Sequence, residues 1–301
     1  MLAVVESGKA NTKFKGNAIL NKFSTKYTVG EKVIEGVDTN TYNISYNGVL
    51  YKVGDCGGEN DFEVSKNKDI HKISIITALS ILKPVGFTDY KLVTGTPVNL
   101  FFTDERDRIK ENLLGHYDVT LYKNKKESEL SFNIAKVLVA PETMGYIYNN
   151  YGYCKNHLVK VVDIGGLNTN GLVYKDGKPI SGTGFTNNQG INILISSIMK
   201  SLNKDGYNYQ RYEVEYFLRN GTENSREREI IEARISEHIT NLERELRANS
   251  WNIDSGEIVF TGGGALLLSD YLKIHFKNAV ISADCIYDNT KGFYKLGEAL
   301  L

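Results

Sequence analysis

Three segments of this 301-residue sequence share one chemical design, an apolar strand that ends in a polar or acidic residue and runs into glycine. They read Val4-Val-Glu-Ser-Gly-Lys-Ala-Asn-Thr-Lys13, Val161-Val-Asp-Ile-Gly-Gly-Leu-Asn-Thr-Asn170 and Ile258-Val-Phe-Thr-Gly-Gly-Gly-Ala265. Glycines just after a strand let backbone N–H groups come close to an anion, and nests of such groups bind phosphate oxygens. The carboxylates at the strand ends, Glu6 and Asp163, cannot bind phosphate directly. They can hold a Mg²⁺ ion, usually through its waters, that neutralises the phosphates. A lone glycine pair or triplet is more often a plain turn than a ligand site. Two acid-ended turns and a third glycine turn in one chain point instead to two similar domains facing each other across a nucleotide.

Competing chemistries lack their residues. Gly166 and Gly171 have the spacing of a Walker loop, but Leu172 and Val173 stand where Lys and Ser/Thr are required. No G-x-G-x-x-G opens a helix after a strand, and no G-x-S-x-G elbow supports a serine hydrolase. His71, His116, His157, His238 and His275 show neither metal-ligand spacing nor a nearby cysteine pair, and read as structural or surface residues.

The elements that must position these turns are legible as alternating strands and helices, which argues for an α/β architecture. Asn47-Gly48 between 41–46 and 49–54 predicts a hairpin. Ile70, Ile73, Ile76, Thr77 and Ile81 predict a helix over Asp69–Leu82, behind an Asp cap and stopped by Pro84. Leu92–Phe102 reads as a strand turning at Gly95–Pro97, and a helix runs from Thr103 to Gly115. Tyr117–Tyr122 and Leu130–Val139 pair across a charged turn, Lys123–Glu129. The apolar pattern lapses at Gly152–His157, which divides the chain into a domain of 1–155 and a second of 156–288, with a final helix (289–301) packing back on the first. In the second half a hairpin spans 172–181 and a helix covers about 187–202. The long helix 223–248 has the stripe Ile231, Ile235, Ile239, Leu242 and Leu246, with Arg228/Glu232 and Glu243/Arg247 as partners one turn apart. Its stripe is too short for a coiled coil, so it packs on its own domain.

Composition narrows the setting. Lys+Arg and Asp+Glu number 36 each, so a body-wide basic face for nucleic acid is not expected. No apolar run approaches the roughly 20 residues that span a bilayer, and Met1–Glu6 is too short for a signal peptide. Cys56, Cys154 and Cys285, odd in number and far apart, suit a reduced cytoplasm.

In order along the chain stand Glu6–Lys13, the connector Asp69–Leu82, Thr94-Gly-Thr-Pro-Val-Asn-Leu with a charged helix and Leu-Leu-Gly115, Pro141-Glu-Thr-Met-Gly145, Asp163–Asn170 and Thr261–Gly264. This ordered set resembles the plasmid-segregation actins, the ParM/StbA group of the actin-like ATPase superfamily, over essentially the whole chain. The resemblance implies an actin-like, duplicated ribonuclease H-like fold of two domains with a nucleotide cleft between them. It implies ATP (or GTP) and Mg²⁺ as ligands, with Glu6 where relatives carry the Asp that holds hydrated Mg²⁺. Gly8, Lys9, Asn11 and Lys13 match the turn on the β- and γ-phosphates. Glu142 matches the residue that orients the attacking water. Asp163 matches the second acid, and Gly165, Gly166 and Asn168 the opposing phosphate turn. Gly262, Gly263 and Gly264 match the turn under the adenosine. Two departures stand out: Glu6 is one methylene longer than Asp, and Leu167-Asn168 replaces the Thr-Thr of many relatives.

The implied function is ATP-driven filament assembly that separates plasmid copies, with other protomers and a DNA-binding adaptor on the plasmid centromere as partners, no direct nucleic-acid binding, and no membrane. Alternatives are a non-polymerising small-molecule kinase of the same superfamily, a cell-shape or scaffold actin, and a nucleotide-binding module without turnover.

Overall fold

The strand Leu2–Ser7 (β1) is apolar at consecutive positions because both of its faces are covered. Ala3 and Val5 pack with Ile73, Ile76 and Leu79, whereas Val4 packs with Phe293 and Leu296. The computed structural model describes residues 1–30, 40–55, 58, 63–83, 86, 88–123 and 126–301. Two units cluster within it, Met1–Asn150 with Tyr287–Leu301, and Tyr151–Ile286.

In the first unit β1 is followed by β2 (Asn11–Lys15), β3 (Leu20–Ser24), β4 (Tyr27–Val29), β5 (Thr41–Tyr46), β6 (Val49–Gly54), β7 (Thr88–Thr96), β8 (Gly115–Lys123) and β9 (Lys126–Pro141). Among the described residues these form one sheet in the order β3-β2-β1-β7-β9-β8-β5-β6-β4. The pairs β1–β7 and β7–β9 are parallel and the rest antiparallel. The helices are α1 (Asp69–Leu82), α2 (Val98–Phe101), α3 (Glu105–Leu113) and α4 (Met144–Asn149), joined by the C-terminal α11 (Asp288–Leu300).

The second unit runs α5 (Tyr151–Cys154), β10 (Leu158–Ile164), β11 (Thr169–Lys175), β12 (Lys178–Pro179), β13 (Phe185–Asn187), α6 (Ile191–Lys204), α7 (Arg211–Asn220), α8 (Ser225–Ala248), β14 (Ile258–Thr261), α9 (Gly262–Leu267), α10 (Ser269–His275) and β15 (Ala279–Ile281). Its sheet order is β12-β11-β10-β14-β15, with β13 alongside β11. Here β10–β14 and β14–β15 are parallel. Each unit therefore sets an antiparallel hairpin, β1–β2 or β10–β11, beside a parallel neighbour, β7 or β14.

Several expectations need correcting. Asp69 is the first residue of α1 and caps nothing with its side chain; Lys68 holds the cap position. Helix α1 is buried nearly all round, and its Thr77 and Ser80 hydroxyls are satisfied by the carbonyls of Ile73 and Ile76. Strand β7 runs straight through Gly95 to Thr96, and residues 98–101 turn into helix because Pro97 ends the ladder. Helix α3 ends at Leu113, and Gly115 opens β8 with φ 132°, a value suited to glycine. Of the charged segment Lys123–Glu129, the part from Lys126 on belongs to β9: Tyr122 pairs with Glu127 and Thr120 with Glu129, and 124–125 lie outside the described residues. Residues 185–187 pair with β11, so α6 starts only at Ile191. Arg228 donates to the Thr222 carbonyl (2.7 Å) in place of the expected pairing with Glu232, whereas Arg247 and Glu243 do pair, at 2.9 Å. The α8 stripe is buried as its spacing predicts, behind an Asn224 cap that accepts from the N–H groups of Arg226 and Glu227. Asn47-Gly48 forms its hairpin turn with both φ values positive. Pro84 and Cys56 lie outside the described residues. Cys154 and Cys285 are buried free thiols. Among the described residues no helix is long and apolar enough to cross a membrane.

Candidate functional site

The first glycine turn closes the β1–β2 hairpin, whose register sets Glu6 opposite Lys13 and Ser7 opposite Thr12. The Gly8 N–H is shared between the carbonyls of Glu6 (3.0 Å) and Asn11 (3.1 Å). A Cβ on Gly8 would lie 2.8 Å from the Asn11 oxygen, so the turn closes this tightly only on glycine. The buried Glu6 carboxylate accepts from Lys13 Nζ (3.2 Å) and Thr290 Oγ1 (3.3 Å) on Oε2, and from Asn289 Nδ2 (3.3 Å) on Oε1. Its extra methylene relative to Asp is used to reach these donors. Lys9 is buried too, and its ammonium donates to the Ser65 carbonyl (2.8 Å) and to His71 Nε2 (3.1 Å). An ammonium only donates, so His71 Nε2 accepts and Nδ1 carries the proton donated to Ser7 Oγ at 2.8 Å. His71 thus holds both Ser7 and Lys9 of the turn.

Glu142 follows Pro141 at the end of β9, and its N–H donates to the Thr96 carbonyl at 2.9 Å. It precedes α4 rather than lying in that helix's first turn. Its carboxylate is ion-paired with Lys66, and both side chains are largely out of water. Burial alone pushes the Glu142 carboxyl up, but the Lys66 charge and hydrogen bond, with Lys9 and Lys13 further off, outweigh it and hold the group below the ordinary carboxylate range. Thr143, the next residue, has φ 104°, which a β-branched residue rarely adopts. Sequence reasoning missed Lys66, because Ser65-Lys-Asn-Lys68 reads as a solvated loop; its burial is decided by the chain that folds over it.

The second turn joins β10 to β11, with Asp163 opposite Asn170 on one side and Thr261 on the other. The Gly165 N–H donates to the Asn168 carbonyl at 2.9 Å, and a Cβ on Gly165 would lie 2.9 Å from that oxygen. The carbonyls of Gly165, Gly166 and Leu167 accept from the N–H groups of Ile191 (3.0 Å), Asn192 (2.8 Å) and Gly190 (2.8 Å) at the start of α6. With the carbonyls so occupied, the N–H groups of Gly166 and Leu167 donate to no backbone carbonyl among the described residues. That arrangement suits an anion. Gly190 was missed as well: its Cβ would meet the Gly166 oxygen at 2.6 Å, so the helix start and the turn touch backbone to backbone.

The third glycine turn is the first turn of α9. Gly262, with φ 89°, would place a Cβ 2.3 Å from Asp163 Oδ1, and Gly264 would press one on Ile164 Cγ2 at 2.5 Å. Two of the three glycines are thus dictated by packing on β10. At Gly263 an added Cβ meets nothing within 4 Å, so the chain itself makes no demand for glycine there. Among the described residues no group of three or more His, Cys, Asp and Glu side chains forms a metal cage.

Residues 5–145 match the family model described as the actin-like proteins N-terminal domain. No curated protein matches the sequence. Among solved structures, the chain is similar to Ta0583, an archaeal actin homolog, with a TM-score of 0.84 and 19% identity over 100% of this chain and 99% of that one. The same homolog in complex with ADP gives 0.80 and 19%, covering 99% of each chain. A 15-stranded ParM filament from Clostridium botulinum gives 0.76 and 17%, again covering 99% of each. These matches give the whole chain the actin-like fold.

Proposed function

We propose that the protein is an ATP-hydrolysing filament former that binds ATP (or GTP) with Mg²⁺ through its glycine turns. We propose further that it segregates plasmid DNA, which it meets through a DNA-binding adaptor on the plasmid centromere. The observation that carries the reading is one turn built twice. In both turns an acid is the last residue but one of the strand, the glycine two residues on donates to the carbonyl of an Asn three residues beyond it, and that glycine tolerates no Cβ. Support for nucleotide binding comes from the likeness to a homolog solved with ADP, and support for assembly from the likeness to a ParM filament. The neutral net charge fits a filament that reaches DNA through an adaptor.

In this reading Gly8, Lys9, Asn11 and Lys13 meet the β- and γ-phosphates, with the backbone of Gly165, Gly166 and Asn168 as the matching cradle and Gly262, Gly263 and Gly264 under the adenosine. Bound Mg²⁺ offsets phosphate charge. Glu6 and Asp163 would hold it. The donors on Glu6 leave a lone pair on Oε1 that could meet the ion or a water bound to it. Glu142, kept ionised beside Lys66, accepts a hydrogen bond from the attacking water and aims it; positioning supplies most of the effect. The test is phosphate release and pelleting of the purified protein with ATP, ADP or no nucleotide, with electron microscopy of the pellet. ATP-dependent filaments and phosphate release are expected. A protein that stays soluble at tens of micromolar with ATP, or releases no phosphate, overturns the corresponding half of the proposal.

A further inference from the structure

We propose that Asn289, in the first turn of α11, is a positioning residue that ties the Glu6 carboxylate to the Glu142–Thr143 backbone and so fixes the spacing of these two acids. The inference rests on the ATPase reading above. The Asn289 side chain bridges two groups that are distant in sequence. Its Nδ2 donates to Glu6 Oε1 at 3.3 Å, and its Oδ1 accepts from the Thr143 N–H at 3.3 Å. The two contacts fix the amide's orientation without ambiguity. A carboxylate can only accept and a peptide N–H can only donate, so the flipped amide would lose both bonds. Thr290 adds a second tie, its buried hydroxyl donating to Glu6 Oε2 at 3.3 Å.

The bridge can position only if its own backbone is fixed, and here it is. A Cβ on Gly145 would lie 2.1 Å from Asn289 Cα, and one on Gly292 would lie 1.8 Å from the Gly145 oxygen. Helices α4 and α11 are therefore in backbone contact, with no slack between them. Lys295 Nζ donates to the carbonyl and the Oδ1 of Asn149 (2.9 Å each), and Asn149 Nδ2 donates to Asp288 Oδ1 (3.1 Å). Phe293 and Leu296 anchor the same helix in the core. The element being held is strained: Thr143 keeps φ 104°, a conformation that persists only where its surroundings over-determine it. The apolar contacts of α11 need no amide at position 289. Its two polar atoms serve the Glu6 and Glu142–Thr143 segments.

The experiment uses the full chain and compares wild type with Glu142→Ala, Asn289→Asp, Asn289→Ala and Thr290→Val in ATP binding and phosphate release. Asn289→Asp keeps the shape and the acceptor for Thr143 but removes the donor and sets a second carboxylate against Glu6. We expect nucleotide affinity to hold within about 3-fold while kcat falls about 10- to 100-fold, the cost of a small misplacement of a reacting group. A purely structural role would lower all parameters together. If the Asn289 variants melt early, Thr290→Val, which removes only one hydroxyl, should still lower kcat more than it raises KM. Folded variants with kcat within about 2-fold of wild type overturn the inference while leaving the ATPase reading intact. A wild-type protein without turnover overturns the ATPase reading instead. Amide exchange at Thr143 then decides the bridge itself: loss of protection in Asn289→Ala supports it, and unchanged protection overturns it.

Discussion

The two acid-ended turns are locally alike and are buttressed by different physics. Around Glu6 the support is polar and comes from side chains: Lys13, Asn289 and Thr290 on the carboxylate, His71 on Ser7 and Lys9, and Lys66 on Glu142. Around Asp163 the feature is close packing made possible by glycine, with Gly190 against the Gly166–Leu167 backbone and Gly262 against the Asp163 carboxylate and the Ile164 backbone. A turn held by charges can be retuned by pH or by a ligand that competes for those charges. A turn held by glycine contacts is a fixed cradle. The first turn is therefore the responsive half of the pair, and the second the rigid one.

Breaking the charge support should have the largest effect. Lys66→Met leaves Glu142 buried without its main counter-charge, which typically costs about 3 kcal/mol or more. In wild type the Glu142 carboxyl is held below its ordinary 4.5, so its contribution to stability is present above that pH and is lost as pH falls through the lower folded value. In Lys66→Met burial is weakly opposed and the carboxyl moves up, so the penalty should shrink as the solution is made acid. Urea unfolding of both proteins at pH 7 and pH 5 measures this, and a penalty independent of pH would show that the pair is not the cause.

The rigid half is tested by two neighbouring glycines. Gly262→Ala adds a strained positive φ to a clash with Asp163 and Ile164, for a loss of about 2–4 kcal/mol. Gly263→Ala meets nothing and should change stability by no more than about 0.5 kcal/mol. If the adenosine passes close to this turn, Gly263→Ala should nonetheless weaken ATP binding. Equal stability losses in the two variants would contradict the division between packing glycine and ligand glycine. Next in size, Glu142→Ala should retain nucleotide binding and slow phosphate release by about 10²-fold, within the range for a positioned polar group. Unchanged turnover would remove Glu142 from the mechanism.

What could be read from the sequence follows this same contrast. The strand–acid–glycine turns, α1, the Asn47-Gly48 hairpin and the α8 stripe are written in local residue types, and the structure has them where periodicity and turn chemistry put them. Helix α7 and the strand at 185–187 were not resolved as elements, because α7 is short and half-exposed and the strand pairs only at its end of β11. At the site the turns themselves were legible, but their supports were not. Lys66, His71 and Asn289 look like ordinary polar residues until the loop before α1, α1 itself and α11 bring them against residues 62 to 283 positions away. Gly190 carried the faint signal of a glycine just ahead of a helix, which does not reveal the backbone it must approach.

The smallest expected effect separates the two units by acid. His238 on α8 is buried, and burial holds its imidazole below the ordinary 6.5. The unfolded chain therefore binds a proton that the folded unit refuses, so this residue's contribution to stability is present above about pH 6.5 and is lost as pH falls through the lower folded value. Glu142, the buried depressed carboxylate of the first unit, responds only below 4.5. The loss that comes from His238 should thus set in at milder acid than the loss that comes from Glu142. His238→Leu should flatten the dependence between pH 7 and pH 5 by on the order of 1 kcal/mol. Amide hydrogen exchange at the two pH values, read separately for α8 and for β1–β2, measures it. If β1–β2 loses protection first, the charge-supported half is the acid-sensitive one in this range, and the imidazole is not what sets the onset.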